Sequence, residues 1–157
     1  MHEAEFWKIL NAVERDKLWH VTFIEDGATP RRGFTTGLWA NFRHPEICVV
    51  GPSEETTFAL LDAIALAVRA GEGGFRPKTR YADFLEGADV EFIRVDESLY
   101  EDAFPTAVWY YCEHLKPAQG FPMLQCVLPY GENGAFPWDD DWPAHLDNWQ
   151  PVLGLRL

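Results

Sequence analysis

The spacing of apolar residues changes several times along the chain, and each change predicts an element. Phe6, Ile9, Leu10 and Val13 recur at helical spacing, which predicts an amphipathic helix over residues 3–14. Apolar and polar side chains then alternate over residues 19–24, which predicts a half-buried strand. The same reasoning predicts further strands at residues 33–38, 46–51, 90–95 and 123–128.

The strongest helical pattern follows Pro52 and Ser53. Glu54 and Glu55 place negative charge in its first turn, and Gly71 ends it. Shorter helices are predicted at 98–104 and 106–115. Because the strands cluster instead of alternating with helices, the order favours an α+β fold. We expect a mostly antiparallel five-stranded sheet or partial barrel with three to four helices packed against it.

The chain has 157 residues, a length that suits one domain. We predict a single α+β domain over 1–157. It comprises an N-terminal helix at 1–17, the sheet and helices at 18–128, and an irregular tail rich in Trp, Pro and Asp at 129–157. The tail is expected to pack on the core.

Charge and cysteines restrict the partners. The formal net charge is −12, which repels phosphate backbones and anionic membranes, so we expect no nucleic-acid or membrane partner. A basic protein partner stays open.

Cys48, Cys112 and Cys126 lie within apolar runs and are odd in number, which predicts buried free thiols and a cytoplasmic protein. No signal-peptide pattern opens the sequence.

The corner His44-Pro45-Glu46 is the leading candidate for chemistry. Proline favours an extended His44, which would bring the imidazole close to Glu46 as a pair suited to acid–base catalysis near neutral pH. The alternative is a structural corner in which His44 caps a turn and Glu46 accepts bonds from backbone N–H groups. His20, in the first strand, is a third catalytic candidate if the two strands bring it to His44.

Ligand-binding candidates flank this corner. Thr36 offers a hydroxyl at a strand end, and Gly37 lets a ligand or another backbone approach closely, or else forms a bulge. Trp39 and Trp138 are candidate aromatic walls. Asp139 begins an acidic run that suits a cationic ligand, although a solvated loop explains it as well. His20 and His44 with Glu46 or Cys48 would make a metal site if they met in space, but the spacing does not match a zinc signature, so no metal ligands are predicted and metal binding stays open.

Several separated motifs resemble one family. They are G-F-T-T-G-L at 33–38, the H-P-E corner, R-A-G at the helix end, F-P-x-L-Q at 121–125, G-x-F-P-W-D at 134–139, and Gln150-Pro151. Their order resembles the bacterial family named domain of unknown function 4262, over residues 19–153. The family has no established activity, so the resemblance implies an identity without a mechanism. Thr35-Thr36 departs from it, since many members carry an aromatic residue before the threonine.

Two functions stay open at this point. The first is a small-molecule-binding domain that uses a His/Glu acid–base pair at a strand-end pocket. The second is a non-enzymatic acidic module that binds or neutralises a basic partner, using surplus aromatic side chains for contact. The sequence leaves the cofactor, the ligand and the oligomeric state open.

Overall fold

A mixed β-sheet runs through the protein, for which a computed structural model describes residues 3–72 and 74–155. Its strands are β1 (His20–Ile24), β2 (Arg32–Thr36), β3 (Glu46–Val50), β4 (Arg80–Leu85), β5 (Ala88–Val95), β6 (Met123–Val127) and β7 (Gly154–Leu155). The spatial order is β1-β2-β3-β6-β5-β4, and the short β7 pairs with β5. β3 and β6 are parallel, whereas the other pairs are antiparallel.

The helices are short, with one exception. They are α1 (Glu3–Leu10), α2 (Leu38–Phe42), α3 (Glu54–Arg69), α4 (Tyr100–Ala103) and α5 (Pro105–Val108), with π-helical turns at Asn11–Arg15 and Trp109–His114 and 3₁₀ turns at Glu97–Leu99 and Ala144–Leu146. The long helix α3 begins where predicted, because the Ser53 hydroxyl accepts a hydrogen bond from the N–H of Thr56. Pro105 opens α5 at a position where no N–H is needed.

Each face of the sheet carries its own hydrophobic cluster. Helix α3 covers one face, where Leu61 and Ile64 pack with Ile47 and Val49 of β3. Helices α1 and α5 and the following π-helical turn cover the other face, where Ile9 and Tyr111 belong to the cluster that contains Phe34 and Cys48. The two faces follow from the alternation of side chains along each strand.

The α+β class is confirmed, but the predicted counts were wrong. The sheet has six strands along its path plus β7, not five, and its path does not close into a barrel within the residues described. The described part of the chain contains five α-helices, against the three to four predicted. β4 escaped prediction because none of its side chains is fully buried, and β7 because it is only two residues long. α2 escaped because Gly37 was interpreted as a strand end.

Candidate functional site

The corner between β2 and α2 depends on a glycine. Gly37 has φ of +122°, which L-residues with side chains rarely adopt. A Cβ at this position would stand 2.7 Å from the carbonyl oxygen of Leu18 and 2.9 Å from Val13. Asn41 secures the same approach, because its amide donates to the carbonyls of Val13 and Leu18 at 3.0 and 2.7 Å. Gly37 therefore allows the backbone at Leu18 to approach closely.

The Glu46 carboxylate lies at the centre of this corner. It is fully buried at the start of β3 and accepts five hydrogen bonds. Its donors are the Thr35 hydroxyl (2.7 Å), the backbone N–H groups of Gly37 (2.8 Å), Leu38 (3.1 Å) and Trp39 (3.3 Å), and the Tyr111 hydroxyl. Burial raises the pKa of Glu46, and the bonds from Tyr111 and Thr35 oppose that rise. The carboxylate thus satisfies the N-terminal N–H groups of α2.

His44 is hydrogen-bonded on both ring nitrogens. Nε2 accepts from the N–H of Phe75 at 3.2 Å, so the proton resides on Nδ1, which donates to the carbonyl of Pro45 at 2.8 Å. Burial lowers the pKa of His44, so the neutral ring is favoured. His44 and Glu46 therefore have separate hydrogen-bond partners, as in the structural alternative considered above.

His20 faces a different part of the molecule. It pairs with Thr36 across β1 and β2, and Nδ1 lies 3.4 Å from the Thr22 hydroxyl. That hydroxyl lies 2.9 Å from the hydroxyl of Thr106 at the start of α5. Burial lowers the pKa of His20, and the positive charge of Lys8 acts in the same direction. Because the ring of His44 packs on Phe75 in the α3-side cluster, no shared partner joins His20 and His44 in the described structure.

Two adjoining cavities lie along β1, and one of them contains His20; we call them together the edge groove. Their volumes are about 420 Å³ and about 480 Å³, within the range of ligand-binding sites. They share Glu5, Thr22 and Phe23. The first also contains His20, Lys8, Glu54 and Phe58, and the second contains Phe6, Thr106, Trp109 and Glu113.

The predicted ligand-binding residues lie in different parts of the structure. The Thr36 hydroxyl is buried and has no hydrogen-bond partner within the described residues. Trp39 packs on the cluster beneath α5, with the Arg43 guanidinium 5.4 Å from its ring centre. Trp138 stacks on Phe136, whose N–H donates to Asp139 at 2.8 Å. The two indoles thus pack in different clusters.

Three buried polar residues were not assigned a role from the sequence. Tyr111 was absorbed into a predicted helix, although its hydroxyl serves Glu46. Gln125 and Gln150 were noted only as parts of motifs. Each side-chain amide bonds both a backbone N–H and a backbone carbonyl of a neighbouring segment. A glutamine inside an apolar strand such as MLQCV is the signal that indicates such a role.

The cysteines agree with the prediction in part. Cys48 and Cys126 are buried free thiols, and burial raises the pKa of both. Cys112, in contrast, is exposed, because it lies on the outer side of the π-helical turn, so the prediction of burial was wrong there. Within residues 3–72 and 74–155, no cluster of His, Cys, Asp or Glu could hold a metal ion. No helix within residues 3–72 and 74–155 is long and apolar enough to cross a membrane.

Comparison with known proteins gives one result. No curated protein and no solved structure matches the chain. The family model described as Domain of unknown function (DUF4262) matches residues 14–143. That range contains β1 to β6, the Glu46 corner and most of the edge groove. The chain therefore belongs to the DUF4262 family.

Proposed function

We propose that the protein binds a small molecule in the edge groove. The observation that carries this proposal is the position of His20, a half-buried imidazole that lines the groove. Its Nε2 has no hydrogen-bond partner within the described residues, while its Nδ1 is adjacent to the Thr22 hydroxyl. A neutral imidazole in a cavity of this size can accept a proton or a hydrogen bond from a ligand.

The lining favours a ligand that bears an amine and an apolar body. Glu5, Glu54 and Glu113 contribute negative charge, against one positive charge from Lys8. Aromatic faces stand beside them, including the ring of Trp109 in contact with Phe6 at a centroid distance of 4.4 Å. A cation gains from both the carboxylates and the rings. We therefore infer a small aromatic or aliphatic amine as the ligand class.

Any acid–base chemistry in the groove would use His20. Burial lowers the pKa of His20 and favours its neutral ring, which can accept a proton, and Thr22 and Thr106 continue from it as a chain of hydroxyls. His44 and Glu46 stay predicted as an acid–base pair, but their present hydrogen bonds would have to break before either could act. Within this proposal they support the corner on which β1 rests.

An NMR titration tests the proposal. The protein labelled with ¹⁵N is titrated with 2-phenylethylamine and, separately, with the neutral isostere 2-phenylethanol. We expect the amine to bind about 5–10-fold more tightly and to shift the amides of His20, Thr22 and Thr106. His20→Gln should weaken binding, whereas His145→Gln, at an exposed position, should not. Equal affinity for both compounds, or shifts confined to other surfaces, would contradict the proposal.

A basic protein partner is the second candidate, and the free edge of β1 favours it. In the described chain β1 pairs with β2 alone, so its outer backbone groups can accept an added strand. Glu5 and Glu54 flank that edge. An extended Lys-rich peptide should then bind with an affinity that falls as salt rises, and binding should survive His20→Gln. Failure of such a peptide to bind at low salt would count against this function.

The cellular setting is inferred from composition and cysteines. We infer a cytoplasmic protein, because the buried thiols of Cys48 and Cys126 remain unpaired. The charge of −12 supports the expectation that nucleic acid and anionic membranes are not partners. Mass determination of the protein purified under native conditions would reveal a small molecule or metal that accompanies it.

A further inference from the structure

A second cleft lies at the start of β2, at the opposite end of that strand from the Glu46 corner. Its volume is about 160 Å³, similar to an apolar cavity that holds one benzene ring. Four separate segments form its walls. Pro30 and Val50 come from the strand ends, Leu99 from the turn before α4, and Leu153 from the tail.

A buried cation lines this mostly apolar cleft. Arg32 is only 8% exposed. Its guanidinium donates to the carbonyls of Ala103 (2.7 Å), Pro30 (3.2 Å) and Asp102 (3.2 Å) and to the Thr29 hydroxyl (3.0 Å). These acceptors are neutral and use four of the five N–H donors, which leaves one proton on Nη2. Its side chain forms no ion pair within residues 3–72 and 74–155.

Two carboxylates stand near without neutralising this charge directly. Asp26 acts through Thr29, whose hydroxyl lies 3.0 Å from Oδ1 of Asp26. Asp102 lines the cleft, but it reaches Arg32 through its backbone carbonyl. The bonds to Ala103 and Asp102 satisfy carbonyls at the end of α4, which explains part of the arrangement. They do not explain why an open apolar cleft stands beside a buried, unneutralised guanidinium, since an isolated buried charge is costly.

We propose that this cleft binds a small monocarboxylate with a branched aliphatic or aromatic tail. The Nη2 proton of Arg32 donates to the carboxylate in a charge-assisted hydrogen bond. The tail contacts Val50, Leu99 and Leu153, and the volume limits it to about the size of one ring. This site is separate from the edge groove, and its ligand carries the opposite charge.

Matched ligands test the charge requirement. The ¹⁵N-labelled protein is titrated at neutral pH and moderate salt with isovalerate and with the neutral isostere isovaleramide. Isovalerate should bind at least about 10-fold more tightly and shift the amides of Leu99, Ala103 and Leu153. Equal binding of the two compounds, or isovalerate shifts confined to other regions, overturns the proposal.

Two variants locate the charge that is responsible. Arg32→Gln should abolish the preference for isovalerate over isovaleramide. Asp102→Asn keeps the backbone carbonyl that Arg32 uses and removes a repulsive charge from the lining, so isovalerate should bind several-fold more tightly. Asp140→Asn removes the same charge at an exposed position in the tail and serves as the control. The proposal is wrong if Asp102→Asn changes the affinity no more than Asp140→Asn does.

Discussion

Glu46 illustrates how one side chain can specify a local structure. A buried carboxylate is expensive to desolvate, and its burial is tolerable only with a full set of donors. Those donors come from the end of β2, from the first turn of α2 and from Tyr111, which is 65 positions away in the chain. A helix of five residues has little stability of its own, so we infer that the hydrogen bonds to this carboxylate stabilise α2.

Glu46→Gln should therefore destabilise the protein markedly. Its amide group would direct a donor at N–H groups that already need an acceptor, leaving at least one buried donor unsatisfied. We expect the free energy of unfolding to fall by about 2–4 kcal/mol, measured by urea denaturation. Glu132→Gln, at an exposed position, is the matched control and should change it by less than about 0.5 kcal/mol. A loss as small as the control's would show that the network contributes little.

At the scale of elements, the attachment of the tail to the sheet depends on two glutamines. Gln125 of β6 donates to the carbonyl of Pro151 (2.9 Å) and accepts from the N–H of Leu153 (2.8 Å). Gln150 bonds the carbonyl (2.9 Å) and the N–H (2.8 Å) of Leu128 in the same way. These side-chain amides thus provide the two-way bonding of a β-ladder where the tail itself is not a strand.

Gln150→Ala should loosen this attachment. The N–H and carbonyl of Leu128 lose buried partners, so we expect a destabilisation of about 1–3 kcal/mol. Hydrogen exchange should accelerate more at Leu128 and Leu153 than at Val49 in the centre of the sheet. Asn148→Ala, two residues away and exposed, should leave the exchange pattern unchanged. Uniform acceleration at all three amides would instead indicate that the tail and sheet unfold together.

The individual helices and strands show which parts of the fold could be predicted from the sequence. Helix α3 carries its signals locally, in the cap at Ser53 and the periodic apolar stripe, and its start was predicted correctly. Helix α2 has no such signal, because the acceptor for its N–H groups lies in β3. β4 pairs with β5 through the two-residue turn Glu86-Gly87, but its side chains are exposed or half-buried without a regular alternation, so the pattern that marks a strand is missing.

At the scale of the whole molecule, candidate sites arise from segments far apart in sequence. The edge groove combines α1, β1, α3 and α5, and the cleft lined by Arg32 combines β2, the end of β3, the α4 region and the tail. Sequence reasoning selected His20, but it could not foresee that α1 and α3 would flank it. Sequence reasoning predicted a pair between His44 and Glu46 because they are neighbours in the chain. In the folded structure, each side chain forms hydrogen bonds with other residues.

Burial of histidine also makes the stability of the whole protein depend on pH. Burial lowers the pKa of His44 in the folded state, although the hydrogen bond to the Pro45 carbonyl opposes this change. The N–H of Phe75 donates to Nε2, a bond that only the neutral ring can accept. Below the unfolded pKa of about 6.5, the unfolded chain binds more protons than the folded one, so stability falls as pH falls. His20 acts in the same direction. The net charge of −12 opposes this trend, because acidification relieves repulsion.

A comparison of variants separates these effects. Gln at position 44 keeps an acceptor for the Phe75 N–H but does not titrate. Between pH 7.5 and 5.5, the wild type should lose more of its free energy of unfolding than His44→Gln, by at most about 1.4 kcal/mol, the linkage limit for one imidazole with an unfolded pKa of about 6.5. Urea denaturation at both pH values measures this difference, and the charge effect cancels because both proteins share it. If the two proteins lose the same amount, His44 is free to become protonated in the folded state, and the bond from Phe75 does not hold the ring neutral.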